Sequence, residues 1–252
     1  MTTLALKIIF TCMIGMLVGF FANFFISHFL KKLESDHQFF CKTCKTEPKW
    51  YHKISVVFFL LLKGRCSSCG AKANKRFPLV EIMNGILYVI VIMANGVNVE
   101  SLLYCLVTSA FLVISTVDEN TLEIPLPCSM FVGGIGIIMC VLDFSSVFNR
   151  ALGFLIIGVV LYLLYALSNG GAIGGGDVTL MAAVGLVLGW KRVILAFLLG
   201  CIVGSVCHVT RMKISKAGHV LAMGPYLCIG SFLSALWGDA MISWYLGLIG
   251  LN

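Results

Sequence analysis

The sequence predicts an all-α polytopic membrane protein of about eight transmembrane helices, interrupted once by a small cytoplasmic zinc-ribbon-like insertion. Three observations carry that expectation. Hydrophobic residues make up 60% of the 252 and charged residues only 12%, about half the roughly 25% with which a soluble domain covers its surface. Apolar runs of spanning length follow one another along the chain. Between the first two of them lies one basic segment holding two C-x-x-C pairs.

A spanning helix needs about 20 mostly apolar residues. Runs that meet or approach this lie near 5–30, 79–95, 101–117, 125–142, 149–168, 178–190, 192–210 and 220–249. The first is longer than a signal-peptide core and shows no small-residue cleavage site before its basic flank, so it reads as a retained span. The run at 178–190 is short. The last has candidate breaks at Gly224-Pro225 and Gly238-Asp239, tolerable at depth where protein covers the freed backbone groups. The organisation expected is a first helix over 1–30, an insertion over 31–78 and a helical bundle over 79–252.

The net charge of +7 is concentrated: residues 31–78 hold eleven Lys/Arg against three Asp/Glu. A basic block can mark nucleic-acid binding, but one that directly follows an apolar run is explained by the positive-inside rule. With 31–78 cytoplasmic, the loops near 118–124, 169–177 and 211–219 are cytoplasmic as well, and these four loops hold fourteen of the eighteen Lys/Arg. Of the remaining four, Lys7 lies within the first run and Arg150, Lys191 and Arg192 are the exceptions on the other face; both termini fall outside. The short apolar stretch Ile54 to Leu62 lies within the insertion, on the membrane surface or against the bundle.

The insertion spaces its cysteines as Cys41-x2-Cys44, 21 residues, Cys66-x2-Cys69. Each pair lets one turn offer two thiolates, and two pairs close a tetrahedral Zn²⁺ site. About 45 residues make too small a core to fold without a staple. Disulfides or unused thiols are the other readings, and a reducing cytoplasm disfavours the first. A filled Cys₄ shell leaves no open position, so this zinc is structural. The remaining cysteines (Cys12, Cys105, Cys128, Cys140, Cys201, Cys207 and Cys228) stand in apolar runs and read as small packing side chains.

Few acids remain outside the insertion. Glu100, Asp143 and Asp239 read as solvated helix ends, and Glu81 as a cap or ion-pair partner at the start of the second span. Asp118 ends an apolar run and is followed by Ile124-Pro125; Asp177 follows Gly174-Gly175-Gly176 and opens the next run but two. Ionisable groups at such positions are costly and are functional candidates. Two carboxyl groups in a dry cleft share one proton, so one can activate water while the other polarises a peptide carbonyl. Gly174, Gly175 and Gly176 lack Cβ atoms and leave space for an extended backbone beside Asp177. The plain alternative, a flexible loop with a helix-capping Asp, stands beside this reading on residue chemistry alone.

These residues also resemble a known family, the prepilin peptidases (type IV leader peptidases), intramembrane aspartyl proteases of bacterial pilus, type II secretion and competence systems. The resemblance runs through Gly19-Phe20-Phe21-Ala22-Asn23, the cysteine block with Trp50-Tyr51 and Lys63-Gly64-Arg65-Cys66, Arg76-Phe77-Pro78-Leu79-Val80-Glu81, Asp118 with Ile124-Pro125, Gly174-Gly175-Gly176-Asp177, and Gly224-Pro225-Tyr226. It implies a bacterial inner-membrane enzyme that cuts leaders of type IV prepilins or pseudopilins after Gly, with Asp118 and Asp177 as the catalytic pair. It implies a second reaction, N-methylation of the new terminus with S-adenosylmethionine, located in the part carrying the insertion. Thr179 replaces a Lys frequent two residues after the second Asp, and His28-Phe29-Leu30 replaces an R-x-P.

A transporter with acidic relays and a non-catalytic assembly factor are the rivals; relays would favour the membrane midplane and paired repeats, and no repeat is found. No H-E-x-x-H supports a zinc metalloprotease. The four-cysteine reading predicts about one zinc per purified chain, lost on Cys44→Ser, Cys66→Ser double substitution; full metal retention in that variant, by elemental analysis, would refute it.

Overall fold

In a lipid solvent each backbone N–H and C=O has to be satisfied within the protein, so long apolar runs without interior Pro fold as continuous helices. The computed structural model describes residues 2–32, 65, 69–72, 74–171, 173–215 and 222–250. Among these the chain forms α1 (Thr2–Lys32), α2 (Arg76–Asn95), α3 (Val99–Thr121), α4 (Leu126–Leu142), α5 (Val147–Leu167), α6 (Gly175–Leu188), α7 (Trp190–Ser215) and α8 (Gly224–Ile249). No strand occurs among the described residues, only an isolated bridge between Arg65 and Lys72. Cys41, Cys44, Cys66 and the stretch Ile54 to Leu62 lie outside the described residues, while Cys69 is exposed.

The helices coincide with the apolar runs, but not all have spanning length. Six are long and apolar enough to cross a membrane: those built on α1, α2, α3, α5, α7 and α8. The other two, α4 with 17 residues and α6 with 14, reach about 26 and 21 Å at 1.5 Å per residue, short of the roughly 30 Å hydrocarbon core. The last helix also departs from expectation. Gly224 and Pro225 open α8 instead of breaking it, and it runs on through Gly238-Asp239. Pro225 lacks an N–H where the first turn needs none. Asp239 accepts from Arg192 Nε at 2.7 Å and from its Nη2.

Helix ends follow local chemistry. α6 stops at Gly189, whose φ of 79° suits a residue without Cβ. Asp143 closes the α4–α5 loop: its Oδ1 accepts from Ser145 Oγ at 2.6 Å and Ser145 N at 3.2 Å. Hydrogen bonds from the Ser145 and then the Ser146 side chain hold its carboxyl below the ordinary range.

The chain forms two compact units, residues 1–113 and 114–252. In the first, glycines bring α1 and α2 into close contact: a Cβ on Gly15 would stand 2.8 Å from Gly85 Cα, and one on Gly19 2.8 Å from Glu81 Cα. A buried polar seam runs beside them. Asn84 donates to the Gly15 carbonyl at 2.7 Å and accepts from Ser109 Oγ at 3.0 Å, and Tyr88 and Ser109 share a 2.9 Å hydroxyl contact.

In the second unit α5 and α6 cross at Gly153 and Gly185, where a Cβ on either would lie 2.5 Å from the other's backbone. Arg150 is buried, and its Nη1 donates to the carbonyls of Leu186 and Val187. These are among the last carbonyls of α6, which have no partner inside their own helix. Gly230 makes the corresponding close approach of α8 to Ala196 and Gly200 on α7.

Gly185→Val is expected to lower stability by about 1–3 kcal/mol or more through overpacking, read as earlier thermal unfolding in detergent. Gly134→Val, where a Cβ meets nothing within 4 Å, is expected to leave unfolding nearly unchanged.

Candidate active site

Asp118 lies in the last turn of α3 and is only 4% exposed. Its Oδ2 accepts from the Gly224 N–H at 2.8 Å, across 106 residues of chain. Gly224 is the first residue of α8, so this N–H is one of the donors a helix leaves unpaired at its start. A Cβ on Gly224 would stand 2.7 Å from Asp118 Oδ2 and 3.0 Å from its Cγ, which restricts the position to glycine. Directly after the helix, Leu122 adopts φ 59°, a left-handed conformation that costs a side-chain-bearing residue about 1–3 kcal/mol. Its N–H returns to the Asp118 carbonyl at 2.8 Å and turns the chain into Glu123-Ile124-Pro125.

Asp177 is the third residue of α6, with Gly174 as the extended N-cap. Its Oδ2 accepts from the Gly174 N–H at 3.2 Å. A negative side chain in a first turn is stabilised by the helix dipole. The capping role open to Asp177 from the sequence is thus present, exercised from the third position back onto the cap. The start of α6 is seated on the loop that follows Asp118: a Cβ on Gly176 would lie 2.9 Å from Ile124 Cβ. The Asp118 carboxyl lies within electrostatic reach of Asp177.

The second unit therefore brings Asp118, Asp177 and Gly174, Gly175 and Gly176 together, while three of the four insertion cysteines lie outside the described residues. The glycines do not share one task. Gly176 seats α6 on Ile124, whereas Gly174 and Gly175 are exposed; a Cβ on Gly174 would stand 3.1 Å from Asp177 Oδ2, and one on Gly175 would make only ordinary contact with Tyr165 at 3.8 Å. Thr179 donates its hydroxyl to the Gly176 carbonyl at 2.9 Å.

Two residues at this site carried no role in the sequence reading. Gly224 entered that reading as a candidate break in the last run and as part of the Gly224-Pro225-Tyr226 resemblance, with no contact to Asp118 foreseen. Cys228, 3% exposed, bonds to Ser115 and lies within electrostatic reach of both aspartates. Nothing in its apolar surroundings distinguishes it from the other membrane cysteines.

Comparison with known proteins identifies the family of the chain. The model described as Bacterial Peptidase A24 N-terminal domain matches residues 13–95, and that of the Type IV leader peptidase family matches residues 105–209. A prepilin leader peptidase/N-methyltransferase of Pseudomonas aeruginosa is 30% identical over 84% of this chain and 76% of its own length. Proteins of the same name from Pseudomonas putida and Bacillus subtilis are 27% and 26% identical, over 83% and 82% of this chain and 75% and 84% of theirs. No solved structure matches the chain. The chain belongs to the type IV leader peptidase family, and it is an enzyme of the peptidase class.

Gly224→Ala is expected to displace the Asp118 carboxyl and lower kcat for leader cleavage about 100-fold, with helix content by circular dichroism retained. A wild-type rate in that variant would separate the Gly224 contact from the chemistry.

Proposed function

We propose that this chain is an intramembrane aspartyl endopeptidase that removes the leader of type IV prepilins or pseudopilins after a Gly at the cytoplasmic membrane face, and then N-methylates the new terminus. The observation that carries the peptidase reading is the meeting of Asp118 and Asp177 at helix ends, each with one carboxylate oxygen held by a glycine N–H.

The chemistry follows from that pair. One carboxyl is ionised and the other keeps the shared proton, and the dyad titrates as a unit, so acid and base are not assigned individually. The ionised member takes a proton from water as the water oxygen bonds to the scissile carbonyl carbon. The protonated member donates to the carbonyl oxygen. Collapse of the tetrahedral centre breaks the C–N bond, and the departing amine receives a proton from the dyad. Gly224 and Gly174 keep both carboxyls from rotating away, and exposed Gly174 and Gly175 leave space for an extended substrate backbone.

Three further points complete the reading. Read as eight crossings, the apolar runs would set the end of α3 and the start of α6 on the same face as the basic insertion, the reading under which this is an inner-membrane enzyme with that insertion cytoplasmic. Cys41, Cys44, Cys66 and Cys69 hold a structural Zn²⁺, a reading supported by their spacing. The relatives' name supports methylation, for which S-adenosylmethionine, when bound, supplies an electrophilic methyl group.

The deciding experiment is cleavage of a prepilin-like substrate in liposomes by wild type, Asp118→Asn and Asp177→Asn. Cleavage by wild type, with a loss of at least about 1000-fold in each variant, is the expected result. Equal cleavage by all three would remove the dyad from the mechanism.

A further inference from the structure

Beside the two aspartates, the second unit holds an apolar groove of about 470 Å³ between α4, α5 and α6. It begins next to the dyad: Val178 and Thr179, the two residues after Asp177, line one end. From there it follows α6 through Ala182 and Ala183 to Leu186, about 12 Å at 1.5 Å per residue. α4 runs parallel to α6, with Gly133 set against Ala183 and Gly136 against Leu186. Leu126 therefore lies at the dyad end of the groove and Gly133 farther along it. Phe154, Leu155 and Tyr162 of α5 form the other side.

Three features set this groove apart from an ordinary lipid-facing surface. Its floor lacks side chains that the fold itself does not exclude. A Cβ on Gly133 would meet Ala183 Cβ at 3.6 Å, and one on Gly158 would meet Ala182 Cβ at 3.4 Å, both ordinary van der Waals contacts. Gly153 and Gly185 differ, because there the helices themselves touch. Small residues that internal packing does not demand leave room for the backbone of another helix. Next, Ser129 lines the groove and is 2% exposed, and its Oγ has no hydrogen-bond partner among the described residues. The Thr179 hydroxyl, by contrast, is spent on the Gly176 carbonyl. A lipid acyl chain cannot pair a buried hydroxyl, whereas a polypeptide packed on the groove brings carbonyls and polar side chains. Last, the groove is continuous with Asp177. A substrate cut there passes into hydrocarbon on one side of its scissile bond, and backbone in hydrocarbon has to be helical.

We propose that this groove seats the apolar helix of the substrate. The residues that follow the scissile Gly lie along α4 and α6, about two turns of them, over Gly133 and Gly158, with the Ser129 hydroxyl bonded to the docked helix. The proposal rests on the peptidase reading above. It adds the surface that recognises the part of the substrate that stays in the membrane.

The test is photo-crosslinking in liposomes. The full chain carries Asp118→Asn and a benzophenone side chain either at Met130 in the groove or at Ile137, exposed on the same helix outside it. The substrate probe is a basic leader, a Gly junction and an apolar helix of about 20 residues. Met130 is expected to give adducts to the first two turns after the junction, at least about tenfold more than Ile137. Adducts to the leader, or equal substrate adducts at the two positions, overturn the proposal. Lipid adducts alone at Met130 also overturn it and make the groove a lipid site. The crosslink needs no turnover, so the two readings fail separately. Helix adducts without cleavage by wild type would remove the peptidase reading and leave the docking groove; cleavage by wild type with lipid adducts alone would do the reverse. In the otherwise unaltered chain, Gly133→Leu is expected to raise KM for the same substrate at least about tenfold, with thermal unfolding in detergent unchanged. An unchanged KM overturns the proposal whatever the effect on kcat, since a displaced dyad lowers kcat and not substrate binding.

Discussion

The hydrogen bond from the Gly224 amide to Asp118 joins the two demands this molecule has to meet. A helix that begins inside a low-dielectric bundle exposes N–H groups that water cannot satisfy. An acid buried at the same depth needs donors to hold its charge. Placing the carboxylate on the helix start answers both at once. The same solution recurs at Asp177, which accepts from the N-cap amide of α6. Helix starts and the two buried or half-buried carboxyls therefore coincide, and an acid moved one turn into a helix would find no free amide.

Glycine enforces this economy at the contacts. At Gly224 the missing side chain lets the amide reach Asp118; at Gly176 it lets α6 settle on Ile124. At Gly153 and Gly185 it lets two helices touch backbone to backbone, and Arg150 then satisfies the carbonyls at the far end of the shorter one. The strained Leu122 fits the same pattern, since the turn between Asp118 and Pro125 is held in an unfavourable conformation by what surrounds it.

Much of this was legible in the sequence, because helix positions follow directly from apolar run length. The start of α4 after Pro125 and the placement of both aspartates at helix ends could be read from single residues. Other features could not. Whether a run of 14 or 17 residues crosses the bilayer depends on where its ends are satisfied, as Arg150 does for α6. Gly224-Pro225 read as a possible break because Pro in mid-helix breaks it, whereas Pro in the first turn starts it. The pairing of Glu81 with Asn23, 58 residues away, and the seat of Cys228 beside the aspartates depend on which helix faces which, and no local pattern encodes that.

Arg150 bears on how the chain's orientation is counted. It stood as an exception to the charge asymmetry, yet its hydrogen bonds are spent on carbonyls inside the fold, so it does not compete for lipid headgroups. Arg192 is likewise neutralised by Asp239, and Lys191 lies over the Trp190 ring at 5.5 Å. Cations tied up in this way cast no vote on which way a polypeptide inserts. A tally of headgroup-seeking charge is therefore more one-sided than a tally of Lys and Arg, and a substitution that freed Arg150 from α6 would turn a structural cap into an orientation signal.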